Sequence, residues 1–318
     1  MTDQSCRSAA VSADACISIG HEIKERLLGK VYWYSLPAVS PANDAGYSKN
    51  SEKLPLKAAL CSEGVNFKVA HLEIQGVSKG FDGVDILEGI SMTVESGRSP
   101  AYSASGCGKT TLFNVVAGLS SPQSGRVLLD GEDITGSPGH LSYMLQKDLL
   151  LQHKRIIDNV SLPLVLRGVP RDEARAQVAG LFETFGLEGT QMRWPSELSG
   201  GMRQRAALLR AYQYSRDFML LDEPFSALDA FTKADMHTWF LDVAERMGTT
   251  SLIVTHDIDE AIMLADHIYV MRGNPQAGVP TTIVGEELIA CPRSARAEFA
   301  VSEAFLVHKR RIMGLLGR

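Results

Sequence analysis

Residues 105–111, read as Ser105, Gly106, Cys107, Gly108, Lys109, Thr110 and Thr111, are the stretch of this chain best suited to hold phosphate. The glycines let backbone N–H groups turn inward around phosphate oxygens, and a helix starting near Lys109 adds its positive end. Lys109 is placed to reach β and γ phosphates, and the Thr110 hydroxyl to hold Mg²⁺. The full pattern GxxxxGK[ST] asks for glycine at 103, where this chain has Ser103. The strand before it should be apolar, yet it reads Arg98-Ser99-Pro100-Ala101-Tyr102, and a proline removes a ladder hydrogen bond from a central strand. Two readings stay open. The loop is a divergent one that binds ATP poorly, or the gene carries a local frame shift. Codons for residues 98–104, taken one base earlier, permit Val-Thr-Gly-Leu-Leu-Gly, an apolar strand ending in the glycine the loop lacks.

Three further groups follow in order. Leu198-Ser199-Gly200-Gly201-Met202-Arg203-Gln204-Arg205 opens a helix, with Ser199 suited to N-cap it and Gly200 and Gly201 exposing N–H groups at its positive end. Phe218-Met219-Leu220-Leu221-Asp222-Glu223-Pro224 is an apolar run ending in two carboxylates. Such a strand delivers Asp222 toward Mg²⁺ and leaves Glu223 to polarise an attacking water. Ser226-Ala227-Leu228-Asp229 comes next, and residues 251–257 place His256 at the end of another apolar run. Taken singly these are a glycine-rich helix start, a turn and a loop histidine. Their order behind a Gly-Lys-Thr loop is what points to nucleotide chemistry.

The elements needed to position these groups are legible. Residues 71–77 and 90–94 alternate like strands, and residues 127–129, 219–221 and 251–254 are short apolar runs, the second fitting a strand buried on both faces. Helical patterns cover 110–119, 172–185, 201–214, 233–247 and 257–265. Strands alternating with helices predict an α/β fold with a mostly parallel core sheet. Residues 1–66 differ: one short amphipathic stretch, 19–30, precedes a linker-like segment, 35–53, rich in Pro, Asn and Gly. That region reads as a poorly ordered extension. In the 318-residue chain, 32 Lys+Arg against 37 Asp+Glu give a net charge of −5, which argues against a nucleic-acid partner. No apolar run is long enough to span a bilayer, and the start lacks a secretory pattern. Cys6, Cys16, Cys61, Cys107 and Cys291 are scattered without a CxxC pair, which fits a reducing cytoplasm.

Over about residues 69–275 the chain resembles the ATP-binding subunits of ABC transporters. The resemblance implies a P-loop NTPase fold with an antiparallel β subdomain and a helical subdomain at about 156–212, the ATPase domain as a whole covering 67–275 and followed by a C-terminal extension, 276–318. It assigns residues 103–111 as Walker A, Gln146 as the Q-loop glutamine that senses the γ-phosphate and joins the Mg²⁺ ligands Thr110 and Asp222, and residues 198–204 as the signature. Glu223 becomes the catalytic base, Asp229 the D-loop carboxylate and His256 the switch histidine. Phe81 sits where the family stacks an aromatic on adenine. It also implies ATP and Mg²⁺ as ligands, and two copies that place each ATP between the Walker A of one and Ser199, Gly200 and Gly201 of the other. A single copy of each motif here calls for a second chain.

The phrases at 143–151 and 220–229 resemble those of nitrate, sulfonate, taurine and related importers, and the segment before the signature lacks the acidic-glycine insertion of exporters. An importer subunit implies transmembrane permease partners contacted near residues 146–155, an extracytoplasmic solute-binding protein acting indirectly, and a peripheral place on the cytoplasmic face of the membrane. Two alternatives are weighed. A soluble ABC ATPase of the DNA-repair or ribosome-acting kind would carry a long coiled-coil insertion or a second motif set, and this chain has neither. An ATPase-impaired subunit is supported by Ser103 and Pro100 alone.

Overall fold

The computed structural model describes residues 71–95, 101–103 and 108–317. The expectations for residues 1–66, and the loop residues Ser105, Gly106 and Cys107, lie outside the described residues.

Among the described residues, ten strands form one sheet in the order β5-β4-β1-β2-β10-β9-β3-β8-β7-β6. Alternating apolar residues build its antiparallel end. β1 (Leu72–Phe81) buries Leu72, Ile74 and Val77, and β2 (Val84–Val94) buries Leu87, Ile90, Met92 and Val94. The two pair antiparallel through Phe81 and Val84, and the turn between them, Asp82-Gly83, has φ of 51° and 80°. Two positive φ values in a two-residue loop match the right-handed twist of the strands, hence the Asp-Gly sequence. The same device, Asp130-Gly131, joins β4 (Ser124–Leu129) to β5 (Glu132–Asp133).

The other end is parallel. β6 (Ser142–Met144), β7 (Phe218–Asp222), β8 (Thr250–Thr255), β3 (Ala101–Ser103) and β9 (His267–Asn274) lie side by side. β7 and β8 are buried along their whole length, which is why both read as unbroken apolar runs rather than alternating ones. Successive residues serve opposite faces. Met219, Leu221 and Ile253 pack into a core with the helices, whereas Phe218, Leu220, Leu252 and Val254 join Leu112 and Phe113 and the antiparallel strands. The segment ahead of the phosphate loop forms its strand despite its polar sequence: Ala101, Tyr102 and Ser103 pair with Ile253, Val254 and Thr255 of β8 and with Ile268, Tyr269 and Val270 of β9.

Helices α1 (Lys109–Val116), α2 (Ile156–Val160), α3 (Leu162–Leu166), α4 (Arg171–Ala179), α5 (Leu181–Thr184), α6 (Gly200–Tyr214), α7 (Ala230–Met247), α8 (Ile258–Leu264), α9 (Arg296–Phe299) and α10 (Glu303–Leu315) complete the described chain. The single helical pattern expected over 172–185 is two helices divided at Gly180. Asp158 in α2 is buried and accepts two hydrogen bonds each from Arg171 and Arg175, at 2.9–3.0 Å, which fastens α2 to α4. Residues 276–318, set apart in the sequence, supply β10 (Val279–Leu288), which pairs with β9 and touches β2 at Thr281. Phe305 and Ile312 of α10 enter the helical-side core, and Glu287 of β10 accepts from His308 Nδ1 at 2.5 Å and from Arg311 at 3.1 Å. Arg296 is fully buried. It donates to the carbonyls of Ile262 and Ala265 at 2.7 Å and of Cys291 at 2.9 Å, and pairs with Asp266, closing the C-terminal end of α8. No helix among the described residues is long and apolar enough to cross a membrane.

Candidate functional site

Gly108 starts α1 with φ of 78°, and a Cβ there would stand 2.5 Å from Ile86 Cγ2. Only glycine allows both the left-handed turn and the approach to β2. Lys109 and Thr110 follow as the first residues of α1, with Thr111 next. Across from them β7 ends at Asp222, in register with Val254 of β8. Glu223 comes immediately after, at φ of 46°, a left-handed conformation that costs a non-glycine residue about 1–3 kcal/mol. Its N–H donates to Val254 O at 2.8 Å, and Ser226 donates to its carbonyl through both N–H (3.2 Å) and Oγ (3.0 Å). These bonds hold the strained peptide.

The strain aims the Glu223 carboxylate at three donors. Lys109 Nζ lies 2.7 Å from Oε1, His256 Nδ1 lies 3.0 Å from the same oxygen, and Gln146 Nε2 donates to Oε2 at 3.1 Å. Gln146 also reaches Ser226 Oγ at 3.4 Å. Burial works against ionisation of Glu223, but the Lys109 ammonium and then His256 outweigh it and hold its pKa below the ordinary value. Its neighbour moves the other way. Burial, then the Glu223 charge, raise the pKa of Asp222, against the pull of Lys109, the Thr110 hydroxyl and Tyr143. Burial and the nearby Asp222 also push the Tyr143 phenol up.

The expected residues therefore divide. Lys109, Thr110, Gln146, Asp222, Glu223 and His256 converge. Ser199 does not join them. It N-caps α6, accepting from Met202 N at 3.3 Å, with Gly200 and Gly201 beginning the helix. Asp229 N-caps α7, accepting from Phe231 N, Thr232 N and Thr232 Oγ1. Phe81 is half exposed at the hairpin end of β1, with the Lys79 ammonium 4.8 Å from its ring centre. Several contributors escaped the sequence reading. Ser226 could have been found by its spacing of three from Glu223. The pinning of the Gln146 segment could not. Arg203 Nε contacts Asp148 Oδ2 at 3.2 Å, and Arg210 donates to the carbonyls of Asp148 (2.6 Å) and Leu149 (2.8 Å), so α6 grips the loop from a distance in sequence.

The ABC transporter family pattern matches residues 87–226, from β2 to Ser226. The chain is 42% identical over 204 residues to the formylaminopyrimidine import ATP-binding protein ThiZ of Halalkalibacterium halodurans, covering 64% of this chain and 80% of that protein. The chain belongs to the family of ABC import ATP-binding proteins. Another relative, the taurine import ATP-binding protein TauB of Sinorhizobium fredii, is 38% identical over 246 residues, 76% of this chain and 90% of its own length. Among solved structures, cbiO1 from Clostridium perfringens, part of the ABC transporter complex cbiONQ, superimposes with a TM-score of 0.62 at 26% identity, covering 77% of this chain and 97% of that chain. The fold is that of a P-loop ABC cassette.

The donor set of this cassette fits Mg-ATP. Two adjacent carboxylates at a strand end, one buried and with its pKa raised, face a threonine hydroxyl and a lysine. Among the described residues no group of three or more His, Cys, Asp or Glu could hold a metal ion. Mg²⁺ needs none, since it keeps an octahedron of hard oxygens using one or two protein ligands plus phosphate oxygens and water.

Proposed function

We propose that this chain hydrolyses ATP between two copies of itself and thereby drives uptake of a small solute through permease partners at the cytoplasmic face of the membrane. The convergence of Lys109, Gln146 and His256 on the Glu223 carboxylate, beside Asp222 and Thr110, supports this reading most directly. Lys109 and the loop N–H groups hold the phosphates. Thr110, Asp222 and Gln146 are the residues that would hold Mg²⁺, which when bound neutralises charge on the transferring phosphoryl group. Glu223, ionised at neutral pH, accepts the proton of the attacking water, while His256 steadies Glu223 and the departing phosphate. Ser199, Gly200 and Gly201, at the start of α6 and outside the Glu223 contacts, supply N–H donors to the nucleotide of a facing copy, and Asp229 is the D-loop carboxylate. ATP then bridges two half-sites, so binding closes the pair and hydrolysis releases it. Phe81, half exposed, stacks on the adenine. The import functions of the relatives suggest a small polar solute of the taurine or sulfonate kind.

A second reading, an ATPase-impaired subunit, is favoured by Ser103 and Pro100. Mg-ATP hydrolysis by the purified chain separates the two, measured beside Lys109→Ala and beside a form carrying Val-Thr-Gly-Leu-Leu-Gly over the start of the loop. Turnover in the chain as it stands, lost in Lys109→Ala, supports the proposal. Turnover only in the restored form supports impairment. Turnover that survives Lys109→Ala overturns the site.

A further inference from the structure

Behind the Glu223 cluster lies a second group of charges that the reaction does not use. Lys233, on the first turn of α7, directs Nζ to Asp257 Oδ2 at 3.1 Å and to Glu260 Oε2 at 3.6 Å. Asp257 follows His256 directly. Its other oxygen caps α8, accepting from Asp259 N at 3.0 Å and Glu260 N at 3.3 Å. Glu260 is 2% exposed, and its Oε2 also lies 3.7 Å from Nε2 of the buried His237. The His237 ring packs edge-on against Phe225, centroids 5.2 Å apart, two residues beyond Glu223. Lys233 is in turn tied to Asp229, its N–H donating to the Asp229 carbonyl at 2.8 Å. Lys233 thus joins α7 to the residue after His256 and to the first turn of α8.

We infer that Lys233 is a positioning residue, which fixes His256 against Glu223 by clipping Asp257 and the start of α8 to the helix that begins at Asp229. The physical case is that a buried carboxylate deprived of its cation does not stay where it is. Without Lys233, Glu260 retains only His237, and Asp257 loses the partner on the side facing α7. The start of α8 then shifts, and His256 moves with it because one peptide bond separates them. A displacement of about 1 Å at a catalytic contact costs up to about 100-fold in rate.

The inference rests on the proposed ATPase reading for its consequence, but its test does not depend on turnover. Hydrogen–deuterium exchange of the full chain is followed in peptides covering residues 255–264 for wild type, Lys233→Met and Lys233→Arg. Exchange there should rise in Lys233→Met and return in Lys233→Arg. Should Lys233→Met fail to fold, the pair Lys233→Met with Glu260→Gln removes the buried charge together with its partner and should still show the rise, because Asp257 has lost its clip. In hydrolysis assays, Lys233→Met should lower kcat about 10- to 100-fold with KM for ATP unchanged, and in a His256→Ala background it should cost nothing further. Unchanged exchange at 255–264, or a loss that adds fully to that of His256→Ala, overturns the inference. If wild type shows no turnover while the exchange responds as stated, the ATPase reading falls and the positioning by Lys233 stands.

Discussion

Replacing Asp158 with asparagine keeps the shape of the α2–α4 junction and removes the charge that two arginines share. In the intact protein burial alone would raise the Asp158 pKa, but hydrogen bonds and charge from Arg171 and Arg175 bring it down from 3.8 to about 2. At about 1.4 kcal/mol per pKa unit, a gap of about 1.8 units corresponds to ~2.5 kcal/mol of folding free energy. The Arg171 side chain is 61% exposed, and solvent screening at that end brings the expected value to about 1.5–2 kcal/mol. Because the folded pKa lies below the unfolded one, this contribution is complete above about pH 4 and is lost as pH falls through about 2. Urea unfolding of wild type and Asp158→Asn should therefore show the variant about 1.5–2 kcal/mol weaker near neutral pH. The gap should narrow as pH approaches about 2. A gap equally wide at both ends of that range would refute the reasoning, since a loss from packing does not titrate.

Other predictions follow from the site. Glu223→Gln should lower ATP turnover at least about 100-fold while leaving Mg-ATP affinity within a few-fold, as removal of a general base does; hydrolysis assays beside nucleotide titration decide it, and an unchanged rate would remove Glu223 from the proton transfer. Gly108→Ala forces a Cβ onto Ile86 at a left-handed φ and should weaken ATP binding and lower the melting temperature, with part of both returning in Gly108→Ala/Ile86→Ala; no return would mean that the clash is not the cause. Arg210→Met frees the carbonyls of Asp148 and Leu149 and should raise proteolysis between residues 146 and 155 more than elsewhere.

What the sequence disclosed and what it withheld follow a physical division. Asp222, Glu223 and His256 were legible because each sits at the end of an apolar run, and a buried parallel strand admits no other pattern. β9 and β10 were not recognised as strands, since Pro280 and Gly285 punctuate β10 and only part of it is buried. The short strand of residues 101–103 ran against its own composition. Its place is set by register between β8 and β9, a tertiary constraint that no local pattern displays. The same holds for Lys233 with Asp257 and for Arg210 with the Asp148 and Leu149 carbonyls. Long-range polar pairs have no period, so their partners become visible only when the chain is folded.

The burial of Arg296 has a consequence in time. Synthesis runs from the N-terminus, so the nascent chain holds Lys109, Asp222, Glu223 and His256 before residue 296 exists. Until then the carbonyls of Ile262 and Ala265, which the Arg296 guanidinium later takes, must stay bound to water, and the C-terminal end of α8 stays unlocked. A polypeptide released early holds Lys109, Asp222, Glu223 and His256 but lacks the guanidinium that closes the C-terminal end of α8. A chain cut short of residue 296 therefore leaves two main-chain acceptors, and the part of the core that Phe305 and Ile312 fill, open to water.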